Sequence, residues 1–459
     1  MTTTRSLRFT SLLLAGLGLA PLACEAVPSF ARQMNLQCIA CHTEFPVLNN
    51  FGRLFKLSGY TLSVGDSQLP PIAVMLQPSF TNTQLGQAGG AAPGFKDNNN
   101  AALSQASVFY AGRLFGPYAS SLFGPDGAAI ANKFGAFIQT TYNGVAKQVH
   151  WDNSELRFAN TGTIGSLPAT YGVYANNNPM MQDIWNSTPA WGFPFSGSGL
   201  APTPSASPLL QGALAQQVAG LGAYALVADS YYFDVAGYET LSPRFQTSLG
   251  INPSSETQIA GTAPYWRAAY TKTLDNSSFE AGTFGLVANT FPGRDSSAGQ
   301  DRIADVGFDA QFQTSFGPHD VTAMLTWINE RENWTASQNL GNTTNAADNL
   351  HSLKATVDYL YDKTYGGAVQ VFSVDGSADA GLYGNSATGS PRSNGVVFQL
   401  NYLPLNKAGG PDFWPRSNVK LSLQYTVYTC FDGARHNYDG QGGNASDNNT
   451  LYLEAWIAF

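Results

Sequence analysis

Leu451-Tyr452-Leu453-Glu454-Ala455-Trp456-Ile457-Ala458-Phe459 sets Leu451, Leu453, Ala455, Ile457 and Phe459 on one face of an extended chain. Side chains of a strand alternate between its faces, so the stretch reads as a strand with one apolar side. It ends on an aromatic residue, as the closing strand of an outer-membrane barrel does. The same period of two recurs upstream. Phe308, Ala310 and Phe312 alternate with Asp309, Gln311 and Gln313; Leu353, Ala355, Val357 and Tyr359 with Lys354, Thr356 and Asp358; Phe398, Leu400 and Tyr402 with Gln399 and Asn401. One face suits lipid and the other a polar lumen.

From residue 71 onward, segments of about ten residues are separated by Gly, Asn, Pro and Ser clusters, a barrel texture rather than a helical one. Strands are predicted near 71–84, 104–115, 134–144, 148–160, 169–176, 216–226, 230–240 and 264–273. Eight more follow near 277–290, 303–316, 319–332, 350–362, 365–374, 394–404, 415–430 and 449–459. Sixteen is even, as single-chain bacterial barrels require, and it puts both barrel termini on the periplasmic side.

Composition agrees. Only 12 % of the 459 residues are charged, while 43 % are hydrophobic, against a usual charged share of about a quarter. Past the N-terminus no window supplies the roughly 20 apolar residues of a spanning helix. With 47 Gly, 21 Tyr and 28 Phe, the expectation is an all-β transmembrane β-barrel over 71–459, in the outer membrane of a Gram-negative bacterium.

Residues 1–26 read as a signal peptide for export through the Sec pathway: Arg5 and Arg8, an apolar core from Ser11 to Leu22, and Cys24-Glu25-Ala26 before Val27. Cys24 invites a lipoprotein reading, but Pro21 stands where a lipobox carries an aliphatic residue. Without this segment, 21 Lys and Arg face 30 Asp and Glu, about −9. That balance disfavours nucleic acid as a partner; solvated acidic loops account for it, and so would a lumen meant for cations.

Between the signal and the barrel, residues 27–70 carry Gln37-Cys38-Ile39-Ala40-Cys41-His42. Cys-x-x-Cys-His is the attachment signature of c-type haem: Cys38 and Cys41 reach the two vinyl groups and His42 the iron as proximal ligand. A zinc site would need two further ligands nearby, and none follow. The segment is too short for a self-sufficient core without a prosthetic group or a surrounding wall. After the motif, Pro46 as first helical residue, then Leu48, Phe51, Leu54 and Phe55 at helical spacing and Gly59 as a stop, predict a short amphipathic helix packed on the porphyrin. Arg53 and Lys56 could meet the haem propionates, but a solvated helix face is the expectation. Cys430 is left as a single packed or lumenal thiol.

The second axial ligand is open. His150, His319, His351 and His436 fall at turns or strand ends; Met34 precedes the motif and Met75 opens the first strand. Met75 is the preferred distal candidate, because Met ligation raises the potential, and a buried thioether is the alternative. Residues 177–215 show no strand pattern and include Asn177-Asn178-Pro179 and Trp185 to Phe195. A loop of this length folds onto something, either into the lumen over the haem or as an outer lid. Asp305, Asp309, Glu330, Glu332 and Asp432 offer hard oxygen ligands for Fe(II), but alternating strands place some carboxylates in any lumen and none of these pairs has diagnostic spacing.

Taken together, these stretches resemble the fused monohaem cytochrome–porins of bacterial outer membranes, whose characterised members are iron(II) oxidases. The similarity runs through Pro28 to Gln33, Cys38 to His42, Phe51 to Arg53, Phe55 to Tyr60, Phe109 to Arg113, the Asn177 to Phe195 loop, Asn437 to Gly440 and Asn444 to Thr450. Met34 departs from the pattern, which has a small hydroxyl residue there. The resemblance implies one haem c inside or at the mouth of a barrel of about sixteen strands. It also implies a protein that passes electrons from extracellular Fe(II) to a periplasmic c-type cytochrome or similar carrier. Two other readings stay open: a conduit for another extracellular donor or acceptor, and a diffusion porin whose haem plug is structural or sensory.

Overall fold

The computed structural model describes residues 27–65, 70–254, 258–411 and 416–459, so the predicted export signal lies outside the described residues. The first described residues form α1 (Pro28–Met34), a 3₁₀ turn over Cys38–Ala40, and α2 (Asn50–Leu57). Eight strands follow: β1 Ile72–Thr83, β2 Asn100–Arg113, β3 Phe134–Asn143, β4 Gln148–Ile164, β5 Leu167–Asn176, β6 Val218–Val227, β7 Tyr231–Thr240 and β8 Ala263–Leu274. Eight more complete the wall: β9 Ser277–Thr290, β10 Asp301–Phe316, β11 His319–Asn333, β12 Ala347–Tyr361, β13 Tyr365–Gly376, β14 Ser393–Tyr402, β15 Asn418–Cys430 and β16 Thr450–Ala458.

Each strand pairs antiparallel with its sequence neighbours, and β1 closes on β16 through Met75 opposite Ala458 and Thr83 opposite Thr450. Closure leaves no unpaired edge, the condition for strands to sit in hydrocarbon. Strand ends shift slightly from the sequence expectation: β2 starts at Asn100 and β12 at Ala347. Above the lipid belt both faces meet polar surroundings, so apolar alternation fades while the hydrogen-bond ladder continues.

Outward residues are the predicted apolar ones. Phe308, Phe312, Leu353, Val357, Phe398, Leu400 and Leu453 are exposed on the outer wall, whereas Asp309, Gln311, Asp358, Gln399, Tyr452 and Glu454 are buried inside. The end bearing Ile72 and Phe459 has tight turns at 165–166, 275–276 and 317–318, and the opposite end has the long connections 177–217, 241–262 and 431–449. Apart from the connections 114–133, which carries a helix at Ala119–Ala131, and 403–417, the terminal end has short turns and the other end the long loops, the habit of outer-membrane barrels. An aromatic girdle marks the terminal end, where Tyr365 stacks on Tyr402 at 5.5 Å and Tyr231 approaches Tyr270 at 5.5 Å.

The lumen is filled rather than open. Residues 176–188 fold inward and are buried, so of the two sequence readings of this loop the lumenal one holds. Arg267 on β8 anchors it, with salt bridges to Asp183 of the loop at 3.5 Å, Glu280 at 3.0 Å and Asp309 at 2.7 Å. The Gln311 amide donates to the Trp185 carbonyl at 2.5 Å. The 27–60 segment enters from the terminal end, so the barrel wall supplies the core that this short segment cannot build alone.

Candidate functional site

Three parts of the chain meet around a cavity of about 400 Å³, within the ~300–1,000 Å³ range of ligand sites. They are the 27–60 segment, the wall at β1–β4 and β16, and the inward loop. The 3₁₀ turn is held by the Cys41 and His42 amides, which both donate to the Cys38 carbonyl at 3.1 Å. That tight turn presents Cys38, Cys41 and His42 to the same cavity. Behind it, Asn49 caps α2 by accepting from the Gly52 amide at 3.0 Å, and its side-chain amide donates to the Ala40 carbonyl at 3.1 Å. A Cβ on Gly52 would stand 2.2 Å from the Cys41 carbonyl oxygen, so glycine alone lets α2 approach the motif this closely.

The helix differs from its sequence expectation. It begins at Asn50, not Pro46, because the Asn49 side chain supplies the cap that a bare Pro46 start lacks. Leu48 and Phe55 line the cavity as expected, but Phe51 and Leu54 do not. Arg53 and Lys56 are not solvated; both are more than nine-tenths buried. Arg53 donates to Gln311 Oε1 at 2.6 Å, Gln313 Oε1 at 2.7 Å and Ser278 Oγ at 2.7 Å. Lys56 Nζ donates to the carbonyls of Met181 at 2.7 Å and Asp183 at 2.6 Å, and it lines the cavity. The exposed positions of α2 are Asn50 and Leu54, not the cations, so Arg53 and Lys56 turn to lumenal carbonyls and amides.

Aromatic rings wall the cavity: Phe45, Phe109, Phe137, Trp191, Phe193 and Trp456. Phe45 packs edge-on to His42 at 5.5 Å and to Trp456 at 5.3 Å, and Trp191 stacks on Phe193 at 5.7 Å. The motif itself marks none of these rings; Phe109, Trp191 and Phe193 lie in stretches that carry the family resemblance, and Trp456 is an inward position of the last strand. Glu44 and Lys420 pair at 2.9 Å, and Lys420 Nζ also donates to the Pro194 carbonyl at 2.8 Å. One lysine of β15 thereby ties the 27–60 segment and the loop tip to the wall.

Burial pushes the His42 imidazole down to about 4, the carbonyls of Pro46 and Val47 offsetting only part of this. The ring is therefore neutral, with a lone pair available, and its Nδ1 is buried with no hydrogen-bond partner. Burial pushes the Cys41 thiol up to about 11 and the Lys56 ammonium down to about 8, the Glu155 carboxylate opposing the latter. Cys38 and Cys41 are not joined in a disulfide. Two thiols and a neutral imidazole in one aromatic cavity, with a buried cation on its wall, fit a covalently held haem with an anionic edge.

Met75 of β1 lines this cavity and packs in one cluster with Cys38, Phe45 and Trp456. Besides His42 it is the only His or Met among the described lining residues; His150, His319, His351 and His436 are elsewhere. Met34 is not among the lining residues but packs behind two of them, Phe55 and Tyr60. Cys430 is buried on β15, its thiol facing the Arg392 carbonyl at 3.5 Å.

Four of the five suggested iron-entry carboxylates accept hydrogen bonds or ion pairs that hold the fold, while Glu332 is buried with its Oε2 lacking a hydrogen-bond partner among the described residues. Asp305 and Glu330 accept the Leu210 and Leu209 amides at 2.8 and 2.6 Å. Asp309 is taken by Arg267, and Asp432 accepts from the Ser205 amide at 3.0 Å. Among the described residues no three His, Cys, Asp or Glu side chains are grouped to hold a metal ion.

A closed sixteen-strand wall with an apolar outer belt and an occupied lumen defines an outer-membrane β-barrel of porin-like architecture. No family model matches the chain, and no curated protein does. Among solved structures it is similar to the anion-selective porin from Comamonas acidovorans (10 % identity, 84 % of this chain and 98 % of that one, TM-score 0.45). It is also similar to OmpT, an outer membrane protein of Vibrio cholerae (10 %, 84 % and 98 %, TM-score 0.43). A third is the outer membrane channel DcaP of Acinetobacter baumannii (9 %, 87 % and 100 %, TM-score 0.43).

Proposed function

We propose that this barrel carries one haem c, bound through thioethers to Cys38 and Cys41 with His42 as proximal ligand. We propose further that it takes electrons from extracellular Fe(II) and hands them to a soluble periplasmic carrier, as the resemblance to cytochrome–porins implies. The observation that carries this reading is the convergence of both motif thiols and a neutral imidazole on one aromatic cavity inside a membrane-spanning wall. When bound, the haem supplies one-electron exchange at its iron.

The chain's own residues do the rest. The 3₁₀ turn and Asn49 fix the attachment loop, so both thiols and the imidazole are presented without reorganisation. The aromatic walls keep water from the ring and so raise the cost of a charged centre, which tunes the potential. Lys56 places a buried positive charge on the cavity wall, where a propionate would neutralise it. Met75 is the proposed distal ligand. Tyr60 and Lys56 also line the cavity, but the Tyr60 hydroxyl donates to Glu155 Oε1 at 2.9 Å and Lys56 is committed to the loop carbonyls.

Adding Fe(II) to the purified, detergent-solubilised protein should reduce the haem, followed by its visible absorption bands. A haem that stays oxidised with Fe(II) yet is reduced by dithionite would remove Fe(II) as donor while leaving the cofactor assignment intact. Met75→Ala should change the visible spectrum and lower the potential, since a thioether stabilises the reduced iron. An unchanged spectrum and potential would eliminate Met75.

A further inference from the structure

The outer wall carries a feature that the haem reading does not use. On β10, Val306, Phe308, Phe312 and Phe316 are exposed outward. From Val306 to Phe316 the strand rises about 25 Å along the membrane normal, at ~3.3 Å per residue and ~40° tilt, the height of a hydrocarbon belt. Arg302 faces the same way about 10 Å higher, at headgroup level. Arg331 of β11 stands opposite Ala304, and Asn349 of β12 stands opposite Arg331. Both arginines are exposed. Among the described residues no carboxylate forms a salt bridge with either. The neighbouring Glu332 and Asp348 are buried on the lumenal side.

Arg302, Arg331, Asn329, Asn333 and Asn349 line an open outer concavity of about 740 Å³, with Phe308 and Trp327 lining it below; Glu332 and Asp348 also border it, but both residues are buried and leave the two arginines as its exposed charges. Those two rings stack at 5.9 Å. Two unpaired guanidinium groups at the lipid interface call for an anion there, and a planar guanidinium matches a phosphate with two parallel hydrogen bonds. We propose that Arg302 and Arg331 form a binding site for the phosphate groups of lipid A, the bis-phosphorylated glucosamine lipid of the outer leaflet. The asparagine amides contact its polar head, and the Phe308–Trp327 pair seats the first carbons of its chains. The site stands apart from the haem reading; only the choice of leaflet uses the barrel orientation, in which the long loops face outward.

The test is binding of fluorescent bis-phosphorylated lipid A, and of its dephosphorylated form, to the full-length detergent-solubilised protein and to the R302Q/R331Q double variant. Because both arginines are exposed, the variant is expected to keep the heat-modifiable migration of the folded barrel. Lipid A should bind it about 30-fold more weakly than wild type, given the worth of a basic residue at an anionic surface. The dephosphorylated lipid should bind both proteins equally weakly, and R302K/R331K should be intermediate. Equal binding of lipid A to wild type and the double variant overturns the site. Equal binding of both lipid forms to wild type reduces it to apolar adsorption, and full competition by phosphatidylglycerol overturns the lipid A assignment.

Discussion

Arg267→Leu is expected to destabilise the folded barrel by about 3–5 kcal/mol, the usual cost of removing one partner from a buried charge cluster. The guanidinium is fully buried and meets three carboxylates, Asp183, Glu280 and Asp309. It also lies over the Trp185 ring at 5.3 Å. Leucine leaves those carboxylates facing one another in the lumen without a cation, so the inward loop that carries Asp183 and Trp185 loses its anchor. Two readouts follow. The thermal midpoint of heat-modifiable migration should fall, and conductance in planar bilayers should rise from the low value of a plugged barrel. Arg267→Lys should retain part of the effect, since a single ammonium restores charge but not the two-pronged contact with Asp309. If neither melting nor conductance changes in Arg267→Leu, the loop is held elsewhere. High conductance in the wild type would instead favour a diffusion porin.

Cys38→Ala is expected to abolish stable covalent haem while leaving the barrel assembled. Attachment needs two thioethers at fixed spacing, and the 3₁₀ turn sets that spacing from backbone bonds that alanine keeps. The wall closes through β1 and β16 without any group from the motif, so strand content and heat-modifiable migration should persist. Pyridine haemochrome measured after acid–acetone extraction should fall to near background. Wild-type levels of extraction-resistant haem in Cys38→Ala would overturn the attachment. Loss of both haem and folded barrel would show that the wall depends on the cofactor, contrary to the independence of the ladder.

Much of the wall was readable because alternation is a local property. Whether Phe308 faces out and Asp309 in follows from neighbouring residues and the pleat alone, and the structure keeps that alternation along β10, β12, β14 and β16. The attachment motif was readable for a similar reason, since the cofactor dictates its spacing. The residues that surround the motif were not. Arg53 looked like a solvated helix position and is instead held by Gln311, Gln313 and Ser278, more than two hundred residues away. Glu44 meets Lys420, and Phe45 meets Trp456. No period in the sequence links such positions, because the contact exists only once the barrel has closed around the segment.

The sequence by itself determined a lipid-facing wall of sixteen strands and the expectation of one haem attachment site, each encoded in spacings of a few residues. The tertiary structure decided that the 27–60 segment packs into the lumen, that the 176–188 loop is buried there, and that Met75 shares a cavity with His42. It also turned the buried charges Arg53, Lys56 and Arg267 into lumenal anchors. The physical reason is closure: a barrel gives the chain an interior, and only that interior brings these distant side chains within bonding distance of one another.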